Sequence, residues 1–116
     1  MTVEKCIEKL MGIDSLEIAT VDHHSCPNVR VVSARIFDGS AMYFLTARGK
    51  AFARQMDGNQ QIAVIGFDEK ANDMVRMTGK VEKVPEDEQI KWRDAIYETY
   101  LYLEPVYPGE RKNIDV

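Results

Sequence analysis

The chain has little cysteine: Cys6 and Cys26 are the only two in 116 residues. That excludes a disulfide scaffold and makes the reducing cytoplasm the expected compartment. No apolar run approaches the roughly 18 residues that a membrane-spanning helix needs. Glu4 and Glu8 interrupt the N-terminal stretch where a secretory leader would carry its apolar core, so neither membrane nor leader is expected. Histidine is equally scarce. His23 and His24 are adjacent on a polar stretch, cannot easily share one ion, and have no second Cys/His pair to complete a tetrahedron, so no metal is expected. Nucleophile motifs are missing: there is no Gly-x-Ser-x-Gly elbow, and Cys6 falls on the apolar stripe of a helix, where a free thiol is usually packing. There are no internal repeats and no low-complexity segments.

The composition that remains is that of one soluble domain over residues 1–116, with 45% hydrophobic and 29% charged residues. A net charge of −4 conceals an asymmetry. Residues 28–56 hold five basic residues against the single acid Asp38, a balance of +4, while the rest holds ten basic and eighteen acidic, a balance of −8. Nucleic-acid binding wants a broad basic face and is not expected. One basic segment in an acidic chain suits a compact anion such as a phosphate.

Residues 3–11 predict an amphipathic helix, with Val3, Cys6, Ile7, Leu10 and Met11 on one stripe, Thr2 as N-cap and Gly12 just past the end. Strands are expected over 15–21, over 28–37 as one alternating run, and over 41–46 after an Asp38-Gly39 hairpin turn. A short helix follows over 51–57, then a strand over 61–67 and a long strand over 74–84 with a bulge or bend at Gly79. Pro85 opens a helix whose acidic first turn, Glu86-Asp87-Glu88, complements the helix dipole and needs no catalytic explanation. Trp92, Ile96, Tyr100 and Leu103 form its stripe, and Pro105 and Pro108-Gly109 end it. Strands joined by short hairpins predict a largely antiparallel sheet closed into a five- or six-stranded barrel.

Gly49-Lys50 is not a nucleotide-triphosphatase phosphate loop, because Phe44 stands where the first glycine should be and Ala51 replaces the Ser or Thr. What is left is Arg30-Val31-Val32-Ser33-Ala34-Arg35 and Phe44-Leu45-Thr46-Ala47-Arg48-Gly49-Lys50, neighbours across the hairpin. Thr46, Arg48 and Lys50 converge at the start of the 51–57 helix, where free backbone N–H groups could help to hold a phosphate. The competing reading is a solvated hairpin mouth.

These two segments, with the long strand Val75 to Val84 leading into Pro85 and the order Leu16 to Asp22, Tyr43 to Thr46 and Asn59 to Phe67, resemble the pyridoxamine 5′-phosphate oxidase-like, FMN-binding split-barrel family over about residues 10–100. The resemblance implies a mainly β (α+β) fold: a six-stranded antiparallel Greek-key split barrel with flanking helices. It also implies a homodimer with FMN at the subunit interface. Arg30, Val31, Val32 and Ser33 would line the ring and ribityl chain. Thr46, Ala47, Arg48, Gly49 and Lys50 would grip the phosphate, and Arg35 would face substrate. No residue is assigned a dedicated catalytic role.

Departures from the oxidase itself matter. Met74 stands where it has a glutamine near the ring, its Arg-Pro and Ser substrate motif is missing from 86–103, and its C-terminal Trp and Arg-Leu-His-Asp-Arg region has no counterpart. Oxidation of pyridoxamine phosphate is therefore not expected. The tail is also short for the family's last strand, so 112–116 is either a stub of it or the barrel is less complete. The leading expectation is a small FMN-dependent oxidoreductase serving small-molecule donors and acceptors. The alternatives are a non-catalytic flavin, deazaflavin or haem binding protein of the same fold, and a structural dimer without cofactor.

Overall fold

The computed structural model describes residues 2–39, 41–106 and 114–116. Helix α1 (Val3–Met11) forms where the stripe predicts it: Ile7 and Leu10 are buried, and the Thr2 hydroxyl accepts the Lys5 N–H at 3.2 Å. Next come β1 (Leu16–Val21) and β2 (Pro27–Val32). The turn between them is built by Asp22, whose Oδ1 accepts the N–H groups of His24 and Cys26 at 2.9 and 3.0 Å.

The strand expected over 28–37 is two strands. β2 ends at Val32, and β3 (Arg35–Asp38) begins after a break at Ser33-Ala34. β3 pairs with β4 (Ala41–Phe44), from Asp38↔Ala41 to Arg35↔Phe44, with Gly39 at φ 59 in the turn. A second break at Leu45 separates β4 from β5 (Thr46–Ala47). α2 (Ala51–Gly58) buries Phe52 and Met56 and runs through Gly58 instead of stopping before it. β6 (Gln61–Asp68) and β7 (Asp73–Lys80) keep one register throughout, so Gly79 makes no bulge. β7 ends at Lys80, four residues before the expected end. Beyond it Val81 N–H still donates to Gln60, but Val84 N–H donates to Val116, so the chain has left β6 for the C-terminal segment.

A 3₁₀ turn (Glu86–Glu88) leads into α3 (Gln89–Thr99), which breaks at Tyr100, ahead of the expected proline; Pro105 lies inside α4 (Leu103–Val106). Pro108-Gly109 falls outside the described residues. β8 (Ile114–Asp115) pairs with β5, so the tail does form a stub of a last strand.

The fold is mainly β with flanking helices, and every strand pair is antiparallel, as expected. Among the described residues the ladders form three pieces: the sheet β2-β1-β6-β7, the pair β3-β4 and the pair β5-β8. β1 lies inside the large sheet, with Leu16 and Ile18 fully buried in the core that Leu10 of α1 and Phe52 and Met56 of α2 complete. Each such side chain stabilises the fold by about 2–3 kcal/mol relative to exposure. A second cluster joins Ile96, Tyr97 and Leu103 to Ile114, pinning α3 and α4 over β8. No described helix is long and apolar enough to cross a membrane.

Candidate anion site at the mouth of the second helix

The chain leaves β5 through a tight turn, with Lys50 N–H donating to Ala47 at 3.2 Å and Gly49 in the left-handed region at φ 79. Arg54 donates to the Gly49 carbonyl and braces the turn from inside α2. Lys50 occupies the N-cap position, where its side chain supplies no capping acceptor, and no acid stands in the first turn. The positive end of α2 therefore lacks an anion from its own sequence. Thr20 fixes the helix to β1 by donating to Gln55 at 3.0 Å.

Arg30 comes to this helix from β2. Alternation puts Asn28, Arg30 and Val32 on the more buried face of the strand, and the Arg30 guanidinium carbon lies 5.2 Å from the Phe52 ring centroid. Its Nε is buried with no hydrogen-bond partner. A buried donor left unpaired is unfavourable unless something else receives it.

Arg48 is held from β8. Its Nε donates to both carboxylate oxygens of Asp115, at 3.0 and 2.9 Å, and Lys83 Nζ stands 3.4 Å from the same carboxylate. Burial pushes the Asp115 carboxyl up, but the hydrogen bond from Arg48 and the charges of Lys83 and Arg48 outweigh it and hold the group below the ordinary range. The hydrogen bond and charge of Asp115 in turn raise Arg48.

The structure brings Arg30, Lys50 and the first turn of α2 together, with Thr46 and Arg48 on the segment that enters it. It separates other residues expected to act together. Val31 points outward and is 66% exposed, whereas Val32 packs against the core, so a ligand along β2 meets one of these side chains and not both. The Ser33 hydroxyl lies 3.1 Å from that of Ser15. Ala47 pairs with Ile114 in the β5–β8 ladder.

Arg35 corrects the expectation of a substrate-facing cation. It is 5% exposed, and its guanidinium donates to four backbone carbonyls: Leu10 and Ile13 from Nη2, Asp14 and Ser33 from Nη1. The break at Ser33-Ala34 resets the alternation and turns Arg35 inward onto the C-terminal end of α1, where a cation also meets the negative end of the helix dipole.

The sequence reading missed two features. Asp115 lies in the short tail and carried no signal. The other is a groove of about 790 Å³, lined by Met42, Tyr43, Phe44, Met77, Val81 and Trp92 among others, within the size range of ligand sites. It opens between β4 and β7, and in its wall Tyr43 and Trp92 stack at 3.9 Å. Their contact joins residues 49 positions apart, which no local pattern announces. Of the expected cofactor residues only Thr46 lines this groove. His23 and His24 are exposed, and no metal-holding cluster exists among the described residues.

The family model of pyridoxamine 5′-phosphate oxidase matches residues 4–113. The pyridoxine/pyridoxamine 5′-phosphate oxidase of Cronobacter sakazakii is 30% identical over 89 residues, 77% of this chain and 41% of that protein. The chain thus spans about two fifths of the length of the curated relatives it matches. Among solved structures, a nimC/nimA family protein from Clostridium acetobutylicum superposes with a TM-score of 0.80 at 19% identity, covering 97% of this chain and 76% of the other. HutZ, the haem storage protein of Vibrio cholerae, gives 0.73 at 16%, covering 99% and 87%. A pyridoxamine 5′-phosphate oxidase-related, FMN-binding protein from Nostoc punctiforme gives 0.65 at 21%, covering 92% and 62%. At these identities the likeness is one of fold.

Proposed function

The chain belongs to the pyridoxamine 5′-phosphate oxidase family, and we propose that it is a small FMN-binding flavoprotein, an oxidoreductase acting between a small-molecule donor and acceptor. The observation that carries this reading is the buried, unpartnered Nε of Arg30 beside the first turn of α2. A phosphate there would receive that donor together with Lys50, the Thr46 hydroxyl and the unclaimed amides of the turn. The FMN-binding relative from Nostoc punctiforme supports the same ligand. HutZ makes haem the alternative; neither histidine lines the groove, and His23 stands by Gly58, at the opposite end of α2 from the first turn. A deazaflavin shares the phosphate and tricyclic ring and is the nearer competitor.

Bound at this site, FMN would supply the hydride and electron-transfer chemistry. The chain's own part is binding and orientation. Lys50 and Arg30 would neutralise the phosphate, the backbone of Arg30 to Ser33 would flank the ring, and the outward Val31 would give the ring an apolar surface.

The same reading makes the protein a homodimer. On the outer face of the large sheet Val29, Val31, Phe67 and Met74 are each at least half exposed, and Phe67 lies directly opposite Met74 in the β6–β7 register. A sheet face that carries these apolar side chains around Glu17 and Arg76 is what a second copy would cover.

The test is to release and weigh the small molecule carried by purified protein, then to titrate apoprotein with FMN and riboflavin. FMN is expected in the released fraction. Lys50→Ala should weaken FMN about 10- to 100-fold, the worth of one charge-assisted hydrogen bond, and leave riboflavin nearly unchanged. Release of haem, or equal loss for both flavins, would overturn the assignment.

A further inference from the structure

We propose that Asp115 is a positioning residue for the anion site: by gripping Arg48 at Nε it aims the free end of the guanidinium outward, so that full anion affinity requires β8 to be docked. The inference rests on the flavin reading above. Three observations carry it. First, the bonds to Asp115 leave from Nε, and the Arg48 side chain keeps 49% of its exposure while that of Asp115 keeps 12%. An arginine held at Nε has its plane fixed, with the two terminal nitrogens still available for a bidentate contact.

Second, Arg48 and Lys83 both face the Asp115 carboxylate, while Glu86 stands 3.9 Å from Lys83 and also draws on Arg48; two cations meet two acids, so what the cluster offers an anion is the exposed end of Arg48 and not surplus charge. Third, the position of Asp115 is set from the far side by α3. The Gln89 side chain is 2% exposed; it receives Val116 N–H at 2.9 Å and donates to the carbonyls of Val116 and Val84 at 3.0 and 2.7 Å. Ile114 is buried in the cluster of Ile96 and Leu103. Two residues of strand thus connect the packing of α3 to the orientation of a basic group at the mouth of α2, a supporting arrangement that preorganises a binding residue.

The experiment measures FMN and riboflavin dissociation constants for the wild type, Arg48→Ala, Asp115→Asn and the double variant. Asp115→Asn is expected to weaken FMN about three- to tenfold and to leave riboflavin within about twofold; the double variant should be no weaker than Arg48→Ala alone, the non-additivity of groups acting as a unit. Three results would overturn the inference and leave the flavin reading standing. These are tighter FMN binding in Asp115→Asn, which would make Asp115 a competitor of the ligand; equal loss for both flavins, which would make it a purely structural residue; and full additivity with Arg48→Ala. Wild-type protein that binds neither flavin would overturn both. Should Asp115→Asn lose β8, seen as lost exchange protection of the Val116 amide, Asp115→Glu keeps the charge at the wrong reach and is expected to show the same selective loss of FMN.

Discussion

Replacing Arg35 by alanine should destabilise this protein more than most single substitutions and should do so without touching a ligand. The guanidinium is buried and donates to the carbonyls of Leu10, Ile13, Asp14 and Ser33. One hydrogen bond from a charged donor contributes about 1.5–3 kcal/mol net, and a buried acceptor left bare costs about 1–3 kcal/mol. The four bonds share two nitrogens, so they do not add in full. The combined loss of bonds, helix-end charge and packing comes to about 3–5 kcal/mol. For a chain of this size that corresponds to a fall in melting temperature of roughly 10–20 °C. Arg35→Lys keeps the charge but offers a single nitrogen, and should recover about half of the loss. Calorimetry or urea denaturation reads both variants, with flavin content measured alongside. A melting temperature within about 3 °C of wild type, together with lost turnover of anionic acceptors, would refute the buried-cap account and restore a substrate-facing Arg35.

Phe67→Asp puts a charge on the apolar outer sheet face and should convert the proposed dimer to monomer at micromolar concentration in sedimentation; an unchanged dimer would move the interface elsewhere. Gly66→Ala would set a methyl 2.8 Å from Ile13 Cδ1, 2.9 Å from Leu16 Cδ2 and 3.0 Å from Leu10 Cδ2. Overpacking of that kind costs about 1–3 kcal/mol, read as a lower urea midpoint. Acid should weaken the fold through Asp73, held low by the hydrogen bond from Lys9, and through Asp115, where burial pushes upward but Arg48 and Lys83 prevail. Both carboxyls sit below the ordinary 3.8 when folded. Their stabilisation is therefore complete above that value and is lost as pH falls through the depressed range. Melting temperature should be flat from about pH 7 to 5 and drop below about 4, and Asp115→Asn should flatten part of that drop.

Local chemistry determined much of this molecule. The 3–11 helix, its Thr2 cap and the Asp38-Gly39 hairpin follow from periodicity, capping and turn preferences that act over a few residues, whereas Pro85 opens only a 3₁₀ turn and the α-helix starts at Gln89. The basic stretch at 46–50 also marks the start of α2, because a turn with glycine and lysine ahead of a helix leaves backbone donors free. What the sequence could not reveal is where alternation fails. The pattern from 28 to 37 reads as one strand, yet β2 belongs to one sheet and β3 to another, and the break at Ser33-Ala34 turns Arg35 from an expected surface cation into an interior cap. Tertiary packing makes that choice, since only the approach of the α1 C-terminus supplies carbonyls for a buried guanidinium. The same holds for Asp115, an acid in a short tail that acquires meaning only when β8 lies beside β5 and α3 holds it there. Tyr43 and Trp92 were both visible as apolar positions on their own elements. Their stacking in the wall of the groove arises only when α3 is packed against β4, which is a property of the whole tertiary arrangement.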